Sequence, residues 1–168
     1  VSSDEITVIE LSKLLTQITA ALIAVTNNAL GVFWSNAAMV IPSDIFIEFA
    51  TKILPQGPPI HIWIDFRVGM NNSGQSNGFT TGLATLGLQE IEAINSPESV
   101  ANLRERLTGI AEYLILNGLV IKDGDTVGED SNEMIKVFYE KSNFGHDGEI
   151  LSLSYSKAKL KKPRLKFW

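Results

Sequence analysis

The stretch IHIWIDFRVGMNNSGQSNGFTTGLATLGLQEIEA, residues 60–93, decides the fold. Its first nine residues alternate between apolar and more polar side chains. The apolar set is Ile60, Ile62, Ile64, Phe66 and Val68. Because successive side chains of a strand point to opposite faces, this alternation predicts a half-buried strand over residues 60–68. Residues 79–83 and the run to residue 92 then predict returning strands.

Helices are predicted on both sides of this stretch. Ser2 and Glu5 have the spacing of a capping box, and a helix over residues 4–25 places six apolar side chains on one face. These are Leu11, Leu14, Leu15, Ile18, Leu22 and Val25. A short helix is predicted over residues 44–53. Ser96-Pro97-Glu98 predicts the start of a third helix, which Asn117-Gly118 ends.

Further strands complete the predicted domain. Residues 29–40 are apolar and predict a buried strand, and residues 134–140 and 149–155 predict an antiparallel pair. The sequence therefore predicts an α+β fold, a mainly antiparallel sheet packed against about three helices in a single two-layer domain. We expect this domain to span residues 1–156 and to be followed by a basic and aromatic tail over residues 157–168.

The order of these residues resembles the bacterial family named Domain of Unknown Function 4261. The resemblance covers roughly residues 14–155. The matching segments are residues 63–67, Phe79-Thr80-Thr81-Gly82-Leu83, Leu86-Gly87, Glu90-Ile91-Glu92, Asn117-Gly118 and residues 122–128. It implies a further segment upstream of residue 1, because members of this family usually carry one. It implies no activity, since the function of the family is unknown.

Composition indicates an ordinary globular protein with an uneven distribution of charge. The net charge is −5, but residues 1–156 hold 8 basic and 19 acidic side chains, a net charge of −11. The amino terminus has no signal-peptide pattern, and no run of 18 apolar residues predicts a membrane span. The chain has no cysteine, which excludes disulfides and thiolate ligands. We expect a cytoplasmic protein that does not contact a membrane through its body.

The tail, residues 157–168, carries six of the 14 basic residues and ends in Phe167 and Trp168. A run of like charges is usually solvated. The aromatic residues leave two alternatives open: docking onto the acidic body or a partner, and contact with nucleic acid or a membrane. Nucleic-acid binding is not expected elsewhere in the chain.

Two apparent motifs lack residues that their chemistry requires. Residues 69–76 follow a strand as a phosphate-binding loop does, but Gln75 stands where the lysine is needed, and a strand follows instead of a helix. Residues 123–134 begin like a calcium loop, but Val127 and Met134 stand at ligand positions. We therefore expect no cofactor and no metal site.

The polar side of the predicted strand is the candidate binding surface. It carries His61, Trp63, Asp65 and Arg67, and Glu90 and Glu92 lie on the neighbouring strand. His61 and Asp65 would lie about 13 Å apart on a strand, too far to share a metal or a proton. Arg67 could pair with Asp65 or with either glutamate, which is a purely structural interpretation. His146 is interpreted as an exposed loop histidine. No catalytic residue is predicted.

Two classes of function remain. The first is a non-enzymatic protein-interaction module, which the acidic body and an exposed Trp63 favour. A sharper form is an immunity or antitoxin-like protein whose acidic surface blocks a basic effector such as a nuclease, and the bacterial setting that the resemblance implies suits it. The alternative is a small-molecule hydrolase or ligand-binding enzyme that uses His61, Asp65 and Glu90. The sequence favours the first class.

Overall fold

The computed structural model describes residues 7–26, 28–128 and 135–155. The helices are α1 (Val8–Val25), α2 (Ser43–Glu48), α3 (Ile60–Trp63) and α4 (Val100–Asn117), and α2 continues as a π-helical turn over Phe49–Ile53. The strands are β1 (Gly31–Trp34), β2 (Met39–Pro42), β3 (Asp65–Met70), β4 (Ser76–Thr81), β5 (Ile91–Ser96), β6 (Thr126–Val127), β7 (Ile135–Lys141) and β8 (Glu149–Tyr155).

Two sheets are formed by the described strands. β1 and β2 make a hairpin, and the other six strands make one mixed sheet in the order β3-β4-β5-β8-β7-β6. All neighbours in this sheet are antiparallel except β5 and β8, which are parallel. The predicted α+β fold with a mainly antiparallel sheet is confirmed, as is the predicted antiparallel pair that became β7 and β8.

Helix α4 covers one face of the large sheet. Ser99 caps its first turn by accepting a hydrogen bond from the Asn102 amide, and Gly118 ends it with a φ of +79°. The buried residues of α4 are Leu103, Leu107, Ile110, Ala111, Leu114 and Ile115. Gly78 of β4 lies beneath this helix, because a Cβ atom there would lie 3.0 Å from Leu107 Cδ1. The predicted start at residue 97 is three residues early.

Helix α1 packs on α2 and on Trp63. Thr7 and Glu10 form its capping box, so the helix begins at Val8 and not at residue 4. Ser2 and Glu5 lie outside the described residues. The indole Nε1 of Trp63 donates a hydrogen bond to Thr16 Oγ1 at 2.9 Å, and both side chains are fully buried.

The strand predicted over residues 60–68 is wrong in its first half. Residues 60–63 form the short helix α3, in which the Ile62 amide bonds to the Pro59 carbonyl and the Ile64 amide to that of Ile60. Tertiary packing of Ile62 and Trp63 here outweighs an alternation that would suit a strand. Ile62, Ile64 and Phe66 are nevertheless buried, as the alternation predicts.

The single strand predicted over residues 29–40 is also wrong. A 3-10 turn at Ser35–Ala37 separates β1 from β2, and Ala38 adopts a positive φ of 51° to reverse the chain. The helix predicted over residues 44–53 is confirmed as α2 with its π-helical extension. The tail, residues 157–168, lies outside the described residues.

Candidate functional site

Five side chains of the predicted site region share the face of the large sheet opposite to α4, which we call the open face. Gly78 and Thr80 point towards α4, so their neighbours on β4 point away from it. In the strand register Asp65 lies opposite Thr81, and Arg67 lies opposite Phe79, which in turn lies opposite Glu92. The open face therefore carries Asp65, Arg67, Phe79, Thr81 and Glu92.

Asp65 and Arg67 form an ion pair on this face. Arg67 Nε donates to Asp65 Oδ2 at 2.6 Å, and the guanidinium carbon lies 5.9 Å from the centre of the Phe79 ring. The Arg67 side chain is 55% exposed. Of the pairings that the sequence left open, the structure contains the one between Asp65 and Arg67.

Glu90 does not join the open face. Its carboxylate accepts hydrogen bonds from Thr80 Oγ1 at 2.7 Å and from the amides of Gly82 and Ala84 at 2.7 and 2.9 Å. The side chain is buried. Three donors occupy most of the acceptor sites of this buried carboxylate, so Glu90 holds the connection between β4 and β5 and is not presented on the open face.

Glu92 anchors the loop between β7 and β8. Its buried carboxylate accepts hydrogen bonds from the Ser142 hydroxyl and from the Asn143 amide, the latter at 2.9 Å. The hydroxyl of Ser142 also accepts from the amides of Phe144 and His146 at 3.0 and 2.9 Å. The loop is therefore held down on the open face by a single carboxylate.

This anchoring brings His146 between Glu92 and Thr81. His146 Nδ1 lies 3.2 Å from Glu92 Oε1, and its Nε2 lies 3.1 Å from Thr81 Oγ1. In the tautomer protonated on Nδ1, the ring donates to the carboxylate and accepts from the hydroxyl. A hydroxyl, an imidazole and a buried carboxylate in this order can act as a nucleophile, a general base and the group that orients the base.

Aromatic contacts hold the imidazole in place. Phe79 stacks on Phe144 with ring centres 4.5 Å apart and meets the His146 ring edge-on at 5.5 Å. The interpretation of His146 as an exposed loop histidine is wrong, because its side chain is only 16% exposed. The sequence did not predict the hydrogen bonds that join Thr81, His146 and Glu92, because His146 lies 65 residues from Thr81 and 54 from Glu92 along the chain. The only signal was a histidine in a glycine-rich turn.

His61 and Trp63 lie away from the open face. The prediction that Trp63 is exposed is wrong, since the residue is buried beneath α1. His61 is exposed on α3 and contacts Phe49 and Phe66, with ring centres 6.3 and 6.0 Å away. The pKa of His61 is lowered, mainly by partial burial and secondly by the positive charge of Arg104, while the negative charge of Glu112 acts in the opposite direction.

The outer side of α1 is the second candidate site. The exposed fractions of six of its aliphatic residues run from 47% at Val8 to 79% at Val25. We call this set the α1 seam, and it comprises Val8, Leu11, Leu15, Ile18, Leu22 and Val25. The buried Thr16 and Ala20 lie on the opposite side of the helix. The sequence predicted one apolar face for this helix, and that face points to solvent.

Helix α1 is also long and apolar enough to cross a membrane, by length and composition only. Core helices of globular proteins pass the same test. Within residues 7–26, 28–128 and 135–155, no group of three or more histidine, aspartate or glutamate side chains could hold a metal ion.

Fold and sites together define a class: a small α+β domain with a mixed sheet, a carboxylate-anchored histidine on its open face, and an exposed apolar helix. Residues 79–154 match the family described as Domain of unknown function (DUF4261), which confirms the resemblance over this range, while residues 63–67 lie outside the match. The matched range holds Thr81, Glu92 and His146, while α1 precedes it. No curated protein and no solved structure shows significant similarity to the chain.

Proposed function

We propose that the protein is a non-enzymatic protein-interaction module and that it associates through the α1 seam. The observation that carries this proposal is the exposure of six aliphatic side chains in one row on the side of α1 that faces away from the core. Contiguous apolar surface of this kind marks interaction sites in globular proteins. Complete burial of one such side chain contributes about 1.5–3 kcal/mol, so even partial burial of the row supports specific binding.

The charge of the body supports a narrower form of this proposal. Residues 1–156 carry a net charge of −11, all of it outside the uncharged α1 seam, and this acidic body speeds encounter with a basic partner. A basic effector that an immunity or antitoxin-like protein blocks, such as a nuclease, has this chemistry. Trp63 has no part in the binding surface of this proposal, because it is buried.

Capture of a partner by Leu15→Glu and Gln17→Glu variants tests the proposal. Both substitutions add one negative charge at an exposed position of α1, but only Leu15 belongs to the seam. We expect Leu15→Glu to lose the partner that the wild type captures, and Gln17→Glu to retain it. Equal capture by the two variants, with unchanged circular dichroism, would contradict a role of the seam.

A second candidate function rests on the hydrogen-bonded chain of Thr81, His146 and Glu92. This candidate is a small-molecule hydrolase, as in the alternative that the sequence left open, but it uses Thr81, His146 and Glu92 and not His61, Asp65 and Glu90. Thr81 Oγ1 would attack an acyl carbon while His146 takes its proton and returns it to the leaving group. Ester hydrolysis that His146→Ala abolishes and Thr108→Ala leaves unchanged would support this candidate. Thr108 is a half-buried threonine of α4 whose hydroxyl donates to the Arg104 carbonyl, and it serves as the control.

A further inference from the structure

The α1 seam has the spacing of a coiled-coil interface. Its residues fall at positions 8, 11, 15, 18, 22 and 25, so that steps of three and four alternate along the whole helix. This is the a and d pattern of a heptad repeat, which places a continuous apolar row against a second helix with the same row. When a helix packs on the core of its own domain, its apolar face is usually wider than an a and d row. The core-facing residues of α1 are a different set from the seam.

The flanks of the seam contain nothing that would reject a like helix. Ser12 and Thr19 lie on one flank, and Leu14 and Ala21 lie on the other. The only charged residues of α1 are Glu10 and Lys13, and neither belongs to the seam. Charges at the flanking positions usually select a different partner, and the flanking positions of the seam carry no charge. The seam is therefore compatible with itself.

We infer that the partner of the α1 seam is the α1 seam of a second copy of this chain. This inference rests on the proposed function, because it names the partner of the same surface. A two-fold axis across the seam would let each copy present the same row to the other, as a closed dimer requires. The core side of each helix stays packed on its own domain, so pairing requires no rearrangement of the fold.

The available area sets the expected strength of this dimer. Six aliphatic side chains that are about half exposed offer on the order of 500 Å² per copy, against roughly 800 Å² per partner in a stable interface of standard size. Leu14, which is 49% exposed beside the seam, adds to this area. We therefore expect a dimer that forms in a concentration-dependent manner and separates on dilution.

The packing of α1 disfavours a membrane as the alternative. A helix that crosses a bilayer must face lipid on all sides or pair with other spans. α1 instead uses one side to bury Thr16 against the indole of Trp63. Crossing would break this hydrogen bond and uncover the core beneath it. Contact of the seam alone with a lipid surface remains an outcome of the test.

Sedimentation equilibrium of the whole chain between 1 and 200 µM, as an order-of-magnitude range for weak association, tests the inference. We expect the average mass to rise towards twice the monomer mass with concentration. Leu15→Glu should weaken the dimer by about 100-fold, since a charge would be buried in an apolar row, and Gln17→Glu should change it by less than about threefold. A wild type that stays monomeric over this range overturns the inference, as does equal weakening by both variants.

A second measurement separates this inference from the proposed function. If the wild type is monomeric and Leu15→Glu still abolishes capture of a different protein, the inference fails and the proposed function stands. If neither self-association nor capture depends on Leu15, both fail.

Vesicles of phosphatidylcholine and phosphatidylglycerol are added to the monomeric wild type as the third arm. Seam-dependent binding to these vesicles would overturn the pairing of two copies in favour of a lipid surface.

Discussion

At the scale of single residues, two buried glutamates stabilise loops and do not form the binding surface that the sequence predicted. Glu90 and Glu92 were predicted to lie on a polar binding surface with Arg67. Each instead accepts several hydrogen bonds from its own surroundings, Glu90 from the connection after β4 and Glu92 from the loop after β7. A carboxylate with this many donors stabilises the loop around it, and it is costly to remove because the donors are left unpaired.

Glu92→Gln should therefore destabilise the protein. The amide keeps the shape of the side chain but places an NH2 group where Ser142 or Asn143 now donates, so we expect a loss of about 1–3 kcal/mol in the free energy of unfolding. Urea denaturation measures it. Glu149→Gln is the control, because Glu149 is exposed at the start of β8. An effect of Glu92→Gln no larger than that of the control would show that the loop does not depend on this carboxylate.

Ile64→Ala tests the buried side of the stretch that decides the fold. Ile64 is 1% exposed and belongs to the core, so its truncation should cost about 2–5 kcal/mol. Met70→Ala, at an exposed position of β3, should cost far less. A shift of the denaturation midpoint that corresponds to less than about 1 kcal/mol would show that the Ile64 site is not a packed core position.

At the scale of elements, the connection from β4 to β5 is tightly constrained. Gly82 has a φ of +123°, and a Cβ atom there would lie 2.5 Å from the carbonyl oxygen of Trp63. A glycine at the end of a strand often marks a close approach of two backbones, and Gly82 makes such an approach to Trp63. The two backbones approach each other because residues 60–63 form α3, whereas the alternation over residues 60–68 predicts a strand there.

Gly82→Ala should consequently cost about 3 kcal/mol or more, because backbone strain and a backbone clash act together. Gly87→Ala is a matched control. It also has a positive φ, 76°, but nothing lies within 4 Å of the added methyl group. Thermal unfolding of both variants measures the difference. Similar midpoints for the two would mean that the approach to Trp63 relaxes at little cost.

Local patterns predicted most of the elements and the β7–β8 pair, but not the contacts between distant parts of the chain. The helix after Pro97 and the β7–β8 pair follow from capping residues and alternation, which act over a few residues. Three features depend on distant parts of the chain and were not predictable. These are the burial of Trp63 by Thr16, the exposure of the row from Val8 to Val25, and the approach of His146 to Thr81. Each requires knowing which surfaces meet in the fold.

At the scale of the whole molecule, association and stability are linked. A ligand or partner that binds only the folded state raises its apparent stability by mass action, and a second copy of the chain is such a partner. If two α1 seams pair, the unfolding temperature depends on the concentration of the protein. A monomer has no such dependence.

We expect the thermal midpoint of the wild type to rise between about 1 and 100 µM protein, the range over which a weak dimer forms. The midpoint of Leu15→Glu should stay constant, and that of Gln17→Glu should follow the wild type. Differential scanning fluorimetry at several concentrations measures this. A constant midpoint in all three proteins would contradict a dimer in this range.

The position of β8 in the sheet has a consequence for the order of assembly during synthesis. β8 is the last described strand along the chain, yet it lies between β5 and β7 at the centre of the sheet. A ribosome that has not yet released residue 149 therefore exposes two unfinished sheet edges, which are prone to non-native pairing. These two edges join only when β8 inserts between them, so the described sheet cannot close before residues 149–155 have left the ribosome.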